Sequence, residues 1–439
     1  MFSKLKFWKK KNKKKKKKED EVETTDVPVK QEEVAPRVTD TKRNDGISPK
    51  SALMHFGHLL TEYEKKEVLE YKNVYHMGKK SAKFDAPMDA DETGFFTLEN
   101  YRYKVNVGDH IAYRYQLQEL VSNQYRAQVF NAMDGKNFSK VTIKSLNRKW
   151  FDLDQQYREW NKLRDIQELV PASQAFILLP MNIGEFRNHF FMVFEQFETD
   201  LQKYMNEKPK WALEDIATSI PGVFKGLDVL KKLDIIHGNI QPANILLNRK
   251  EPHILKICGF GSAIYPTKYR RETQELHYRA PEQFMMGPVS PAMDVWSVGC
   301  IMGEMAYGKP FLNGVDDPNQ FYAIQETFGI PPQEFRRSCY RAELYFFKTA
   351  HDAPTHCIFV EDSDGGFKLE IDYANSLATS DRLPPGSRPL LSFFPGRELA
   401  LFRNLLYKCF EWMPEKRLDP AAAVKHHFFL NYECLYDGD

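Results

Sequence analysis

Two short runs hold the side chains that could do chemistry. His237-Gly238-Asn239-Ile240-Gln241-Pro242-Ala243-Asn244-Ile245-Leu246-Leu247 offers one imidazole and three carboxamides, and Lys256-Ile257-Cys258-Gly259-Phe260-Gly261 follows it closely. Neither run contains Asp or Glu. A carboxamide can hydrogen-bond a phosphate or lend an oxygen to a hard cation, but it cannot take a hydroxyl proton near neutral pH. Glycine offers such a cation no side-chain oxygen at all. The runs therefore supply no carboxylate to act as base or as anionic metal ligand.

A lysine and a glutamate upstream could complete the site. Val141-Thr142-Ile143-Lys144 alternates as a strand, and Glu159 is predicted to begin a helix in which Leu163 lies one turn further on the same face. A charge-rich helix taken alone is more often simply solvated. The pair gains weight from the later motifs, which stand in register with it.

These motifs resemble those of a protein kinase, in which His-Arg-Asp-Leu-Lys-Pro-x-Asn supplies the base and Asp-Phe-Gly holds magnesium. The resemblance places Asn239 and Gly259 where the family has aspartates, and Gln241 where it has the catalytic-loop lysine. Asn244 is then the one retained metal ligand. Lys144 and Glu159 become the ion pair of the nucleotide site, with Val129 and Leu246 also at that site, Phe194 as gatekeeper and Glu195 at the hinge. Leu163, His237 and Phe260 take structural places behind the pair. Ser122, Gln124 and Ala127 fall on the three glycine positions of the phosphate loop, where side chains resist close folding over phosphates. Arg126 near its tip reads either as phosphate-directed charge or as an ordinary surface residue.

Tyr278-Arg279-Ala280-Pro281-Glu282 and Asp294-Val295-Trp296-Ser297-Val298-Gly299-Cys300 resemble architectural motifs of the same family. The resemblance implies that Glu282 pairs with Arg417 and that Asp294 accepts N–H bonds from the catalytic loop. Keeping costly buried charges while losing catalytic ones implies that the scaffold is used.

Leu59 to Tyr71, Val74-Tyr75-His76-Met77-Gly78, Asp109 to Tyr115 and Phe186-Arg187-Asn188-His189 are similar to segments of the dual-specificity tyrosine-regulated kinase (DYRK) family of the CMGC group. The expected fold is α+β and two-lobed. A tail at 1–50 precedes a homology-box extension at 51–110 and a kinase-like domain at 111–430, divided near 195 into a β-rich and a helical lobe, with a C-terminal tail at 431–439. The stretch 335–395 resembles the long insert of the wider group. Arg270 and Glu272 fall on the family's activation tyrosines. Glu272 reads either as a fixed negative charge facing Arg279 or as part of a solvated loop.

The net charge of +2 over 439 residues hides a lysine-dominated stretch at 1–18 and an acidic one at 19–33. So few apolar groups before Pro49 predict disorder. Phe2, Leu5, Phe7 and Trp8 among the lysines suit an anionic membrane, a nucleic acid or import machinery, or a solvating tail. Phe2 rules out N-myristoylation, and no apolar run suits a signal peptide or a membrane span. Scattered cysteines without metal spacing read as reduced thiols of an intracellular protein, cytoplasmic or nuclear.

The reading from sequence is therefore a pseudokinase acting as scaffold, decoy or allosteric regulator. Its expected partners are proteins, among them an active family kinase or its substrates. The expected cofactor is at most ATP, weakly bound and with little dependence on magnesium. The alternative is residual phosphoryl transfer built on Lys144, Glu159 and Asn244.

Overall fold

The computed structural model describes residues 45–123, 127–146, 153–170, 176–266, 274–342, 359–361, 367–369 and 383–433. An antiparallel sheet of six strands in the order β1-β2-β3-β4-β6-β5 forms the first lobe. Its strands are β1 (His110–Ile111), β2 (Tyr115–Asn123), β3 (Ala127–Asp134), β4 (Lys140–Leu146), β5 (Asn182–Phe186) and β6 (His189–Glu195). In β4 the strand period of two sorts the side chains by face: Val141 and Ile143 are fully buried, while Thr142 and Lys144 are only partly so. A long helix, Leu153–Leu169, buries Leu163 and Ile166 in the core shared with the second lobe.

The outer face of the sheet is covered by the chain that precedes it. Helix α1 (Pro49–Phe56) starts at Ser48, whose side chain accepts the Ser51 N–H, with proline at its first position. Helix α2 (Glu62–Glu67) starts with a reciprocal capping box between Thr61 and Glu64. Ala52, Leu60, Tyr63, Val68 and Val74 form one apolar cluster with Ile111, Tyr113, Phe130, Val141 and Ile143. These contacts run across the divisions expected from sequence. The extension is already paired before residue 51, through the Ile47–Val74 bridge, and the boundary expected at 110/111 falls inside β1. The sheet is apolar on both faces, so the extension is part of its core and not a separate module.

The β5–β6 hairpin closes on Arg187 and Asn188, both left-handed at φ 49° and 62°. Such turns favour Asn-Gly, and an arginine there is strained. Its guanidinium offsets that strain by bonding Glu64 at 3.1 Å and Glu67 at 2.9 Å, which fastens the hairpin to α2.

The second lobe is helical around Leu213–Lys232 and Ala292–Tyr307, with a three-stranded sheet of β7 (Thr199–Asp200), β8 (Ile245–Asn248) and β9 (Glu251–Ile257) at the cleft. The Ala292–Tyr307 helix is buried almost throughout. A Cβ on its Gly303 would meet the Phe311 ring at 2.2 Å, so only glycine lets that ring approach. Within the predicted insert, Phe359–Glu361 pairs with Phe367–Leu369. The C-terminal helix His427–Glu433 crosses the expected end of the domain at 430. The tail at 1–44 and residues 434–439 lie outside the described residues, as do Cys357 and Cys434.

Candidate functional site

Strand β4 and the Leu153–Leu169 helix bring Lys144 and Glu159 together: Nζ donates to Oε1 at 2.7 Å and Oε2 at 2.8 Å. The helix begins earlier than the sequence reading placed it, so Glu159 sits in its second turn and not at its start. Nothing in Leu153 to Arg158 is Gly or Pro, and the helix continues back through them. Val129 pairs across the sheet with Lys144, and Thr142 pairs with Phe194. The Thr142 hydroxyl donates to Asn131 Oδ1 at 3.3 Å. Leu246 and Lys256 are cross-strand partners on β8 and β9, and Lys256 is bonded to Glu195 at the hinge. At the phosphate loop, Ser122 pairs with Val129 and Ala127 with Leu146, while Gln124 and Arg126 lie outside the described residues.

The two motif runs are tied to each other through the backbone. Asn244 Nδ2 donates to the Asn239 carbonyl at 2.8 Å, and Cys258 N donates to the Asn244 carbonyl at 2.9 Å. Gly259 is left-handed at φ 85°, and a Cβ built on it would lie 2.5 Å from Asn244 Oδ1. Asn239 Oδ1 accepts the Glu275 N–H at 3.3 Å. Gln241 is half-buried and precedes the Pro242–Asn244 turn. His237 is fully buried, and burial pushes its pKa down to about 4 although the Cys258 carbonyl opposes this. The neutral ring donates from Nε2 to the Cys258 carbonyl at 2.8 Å and accepts the Asn239 N–H at Nδ1. The ring meets Phe260 edge-on at 4.8 Å, in the core that also contains Leu163. Burial also raises the Cys258 thiol to about 12, so it stays protonated.

The architectural charges are buried and bonded. Asp294 accepts the N–H of His237 at 2.8 Å and of Gly238 at 3.0 Å, and burial raises its pKa to about 7 despite those donors. Glu282 and Arg417 form a two-pronged pair at 2.7 and 2.8 Å, both side chains fully buried. Arg279 is engaged with Asp317 at 2.7 Å and with the Gln274 carbonyl. Arg270 and Glu272 lie outside the described residues.

Magnesium does not fit these residues. A hard dication needs several oxygen ligands, usually with carboxylate among them. Here Asn244 Oδ1 stands against a glycine that contributes none. Elsewhere, Glu64, Asp109 and His110 bring ligand atoms within 4.8 Å of one another. Lys83 at 2.7 Å from Glu64, together with Arg187, already answers that charge. This buried cluster escaped the sequence reading because its members are far apart in the chain. Gly238 escaped it too, although His237-Gly238-Asn239 marks a left-handed turn, at φ 71°, that aims a second N–H at Asp294.

The protein kinase domain pattern matches residues 116–429. The chain is 29% identical over 384 residues to dual specificity tyrosine-phosphorylation-regulated kinase 3 of Rattus norvegicus, covering 87% of this chain and 65% of that protein. It is 30% identical over 387 residues to dual specificity tyrosine-phosphorylation-regulated kinase mbk-2 of Caenorhabditis elegans, covering 87% of this chain and 46% of that one. A Drosophila melanogaster protein, dual specificity tyrosine-phosphorylation-regulated kinase 2, is 28% identical over 395 residues, with 89% and 52% covered. The chain thus spans between about half and two thirds of these relatives. Among the described residues, no helix is long and apolar enough to cross a membrane.

Proposed function

Since the chain belongs to the protein kinase domain family, with DYRK-like relatives, we propose that it is a pseudokinase that works by protein contact. The observation that carries this reading is the pairing of Asn239 with Gly259. The position of the base holds an amide whose oxygen accepts a backbone N–H from Glu275, and the position of the metal carboxylate holds a glycine with Asn244 closed against it. Removing a base and an electrostatic stabiliser each costs orders of magnitude in rate, with one stabilising donor worth about 3 kcal/mol. What this chain still does is hold shape: Lys144 with Glu159, Asp294 under the loop, Glu282 with Arg417.

The proposed partners are proteins, among them an active relative or its substrates, met inside the cell. The lysine-rich N-terminus supplies a second contact with an anionic membrane or nucleic acid, one that weakens steeply with salt. The second reading, residual phosphoryl transfer, is favoured by the intact Lys144–Glu159 pair. Incubation of the full chain with radiolabelled ATP, magnesium and basic peptides separates the two. No transfer is expected. Labelling that disappears in Lys144→Ala overturns the pseudokinase reading.

A further inference from the structure

We propose that a cavity in the second lobe, lined by none of the residues of the two motif runs, takes the hydrocarbon chain of a soluble single-chain amphiphile with a zwitterionic head. The proposal does not rest on the pseudokinase reading.

The cavity has a volume of about 490 Å³ and lies between the entry to the Ala292–Tyr307 helix, the Gln333–Ser338 helix and the segment from Met413 to Pro420. Ligand pockets fall in this range, about 300–1,000 Å³. Its three walls are bonded to one another. Arg417 donates to the Ala292 carbonyl at 3.1 Å, which joins the 413–420 segment to the helix entry. The chain leaving the Gln333–Ser338 helix donates from Tyr340 N to the Met286 carbonyl at 3.3 Å and from Arg341 N to the Met285 carbonyl at 2.9 Å.

The chemistry of the lining selects what can enter. Val295, Phe335, Met413 and Leu418 make the walls apolar. Pro288, Pro291, Pro414 and Pro420 also line the space, and proline has no N–H to donate. The polar side chains are largely engaged with each other or with backbone: Glu282 and Arg417 form their buried pair, Lys231 is bonded to Asp419, and the Ser338 hydroxyl donates to the Phe335 carbonyl at 2.8 Å. A peptide or a polar head buried here loses its hydration and finds few partners in return. Water meets the same shortage, so displacing it is favourable. A hydrocarbon chain has no such groups to satisfy, and the unbranched Met413 side chain can adapt to it. The lining groups most open to solvent are Lys231 and Glu415, with Asp419 half-buried beside Lys231. Charges of both signs at that side suit a head that carries both signs and stays in water.

Calorimetric titration of the full chain with dodecylphosphocholine, kept below the concentration at which it forms micelles, tests this. One site is expected, with no measurable binding of phosphocholine alone. Decylphosphocholine should bind about tenfold more weakly, because two methylenes fewer are buried. Dodecanoate, with its single negative charge beside Glu415 and Asp419, should bind at least about threefold more weakly. Hydrogen exchange should show protection at 288–295 and 413–420. Met413→Arg places a charge in the wall and should weaken binding at least about tenfold, and Ala292→Leu fills the space without charge and should do the same. Both are expected to keep the melting temperature of the unliganded chain, and the protection pattern tests the site even where a variant does not fold. Absence of binding, binding to many weak sites, an affinity indifferent to chain length or head charge, or protection confined to another part of the chain overturns the proposal. So does binding to phosphatidylcholine vesicles that is lost in Met413→Arg, which would make the source a membrane.

Discussion

Arg417 directs its guanidinium to Glu282 on one side and to the carbonyls of Glu411, Trp412 and Ala292 on the other. Its side chain and that of Glu282 are fully buried, so truncating the arginine leaves a carboxylate with neither water nor partner. Arg417→Ala should therefore cost about 3–5 kcal/mol, seen as a lower melting temperature and a poorer soluble yield. An unchanged melt would mean that water reaches the pair. Gly259 makes an opposite test, since restoring the family's aspartate there adds a side chain where Asn244 Oδ1 stands at 2.5 Å. Gly259→Asp should lower stability by about 1–3 kcal/mol unless Asn244 is also shortened, and pairing it with Asn244→Ala should recover part of that loss in thermal melts. The resemblance to the family's motifs made both sites legible at the level of residue type. It could not show that the Asn244 amide closes on the glycine, because that depends on a left-handed backbone and a rotamer.

At the scale of elements, Glu64 shows how one short helix is fixed to distant parts of the chain. Its Oε2 accepts the Thr61 N–H at 3.0 Å and Lys83 Nζ at 2.7 Å, and its Oε1 faces Arg187 at 3.1 Å and His110 Nε2 at 3.3 Å. Burial acts to raise the Glu64 carboxyl, but the His110 hydrogen bond and the Lys83 charge outweigh it and hold the group well below its usual range. Asp109 goes the other way. Burial raises it from 3.8 to about 6, although Lys83 and Arg187 pull it down. His110 is pushed down to about 3 by burial, so it adds no charge at neutral pH. Three carboxylates, Glu64, Glu67 and Asp109, thus face two cations. A carboxyl with a raised folded pKa binds its proton more readily folded than unfolded, so its contribution is full below about 4 and is lost as pH rises through about 6. Asp109→Asn should remove that loss. The mutant should gain stability over the parent between pH 5 and pH 7.5, by a margin on the order of 1–3 kcal/mol in denaturant titrations. The titrations of Asp294 and His237 cancel in this difference. A parent and mutant with parallel pH profiles would mean that Asp109 is solvated. The capping box and the Phe186 to His189 hairpin were readable as family segments. That they meet in one ionic cluster was not, because neither periodicity nor propensity encodes a contact between residues 64 and 187.

At the scale of the molecule, much of the extension and of the described part of the segment before Gln283 is buried. Ala52, Val68 and Val74 are wholly buried against the sheet, and so are Ala280, Glu282 and Gln283 against the second lobe. Deleting residues 51–110 would uncover Tyr113, Phe130, Val141 and Ile143, all almost fully buried. Such a truncation should yield insoluble chain and cannot report on partners. What does face solvent beside the cleft is a smaller area: Glu275 is exposed, and Val315 is 81% exposed on the loop that precedes the Asp317–Phe328 helix. His277 joins the two segments through the Gly314 carbonyl at 3.2 Å, and Arg279 joins them through Asp317, so they form one edge. If the protein works by contact through the flank its family uses for substrates, this edge should be part of the contact. Glu275→Lys and Val315→Asp each change its charge or apolar character without touching a buried group. Both should keep the parent melting temperature, and each should reduce the recovery of an active family kinase or its substrates in affinity capture by about tenfold, equivalent to about 1.4 kcal/mol. If both variants recover these proteins as well as the parent does, the contact lies elsewhere. The next test is then the lysine-rich N-terminus, whose contribution should fall away as salt is raised.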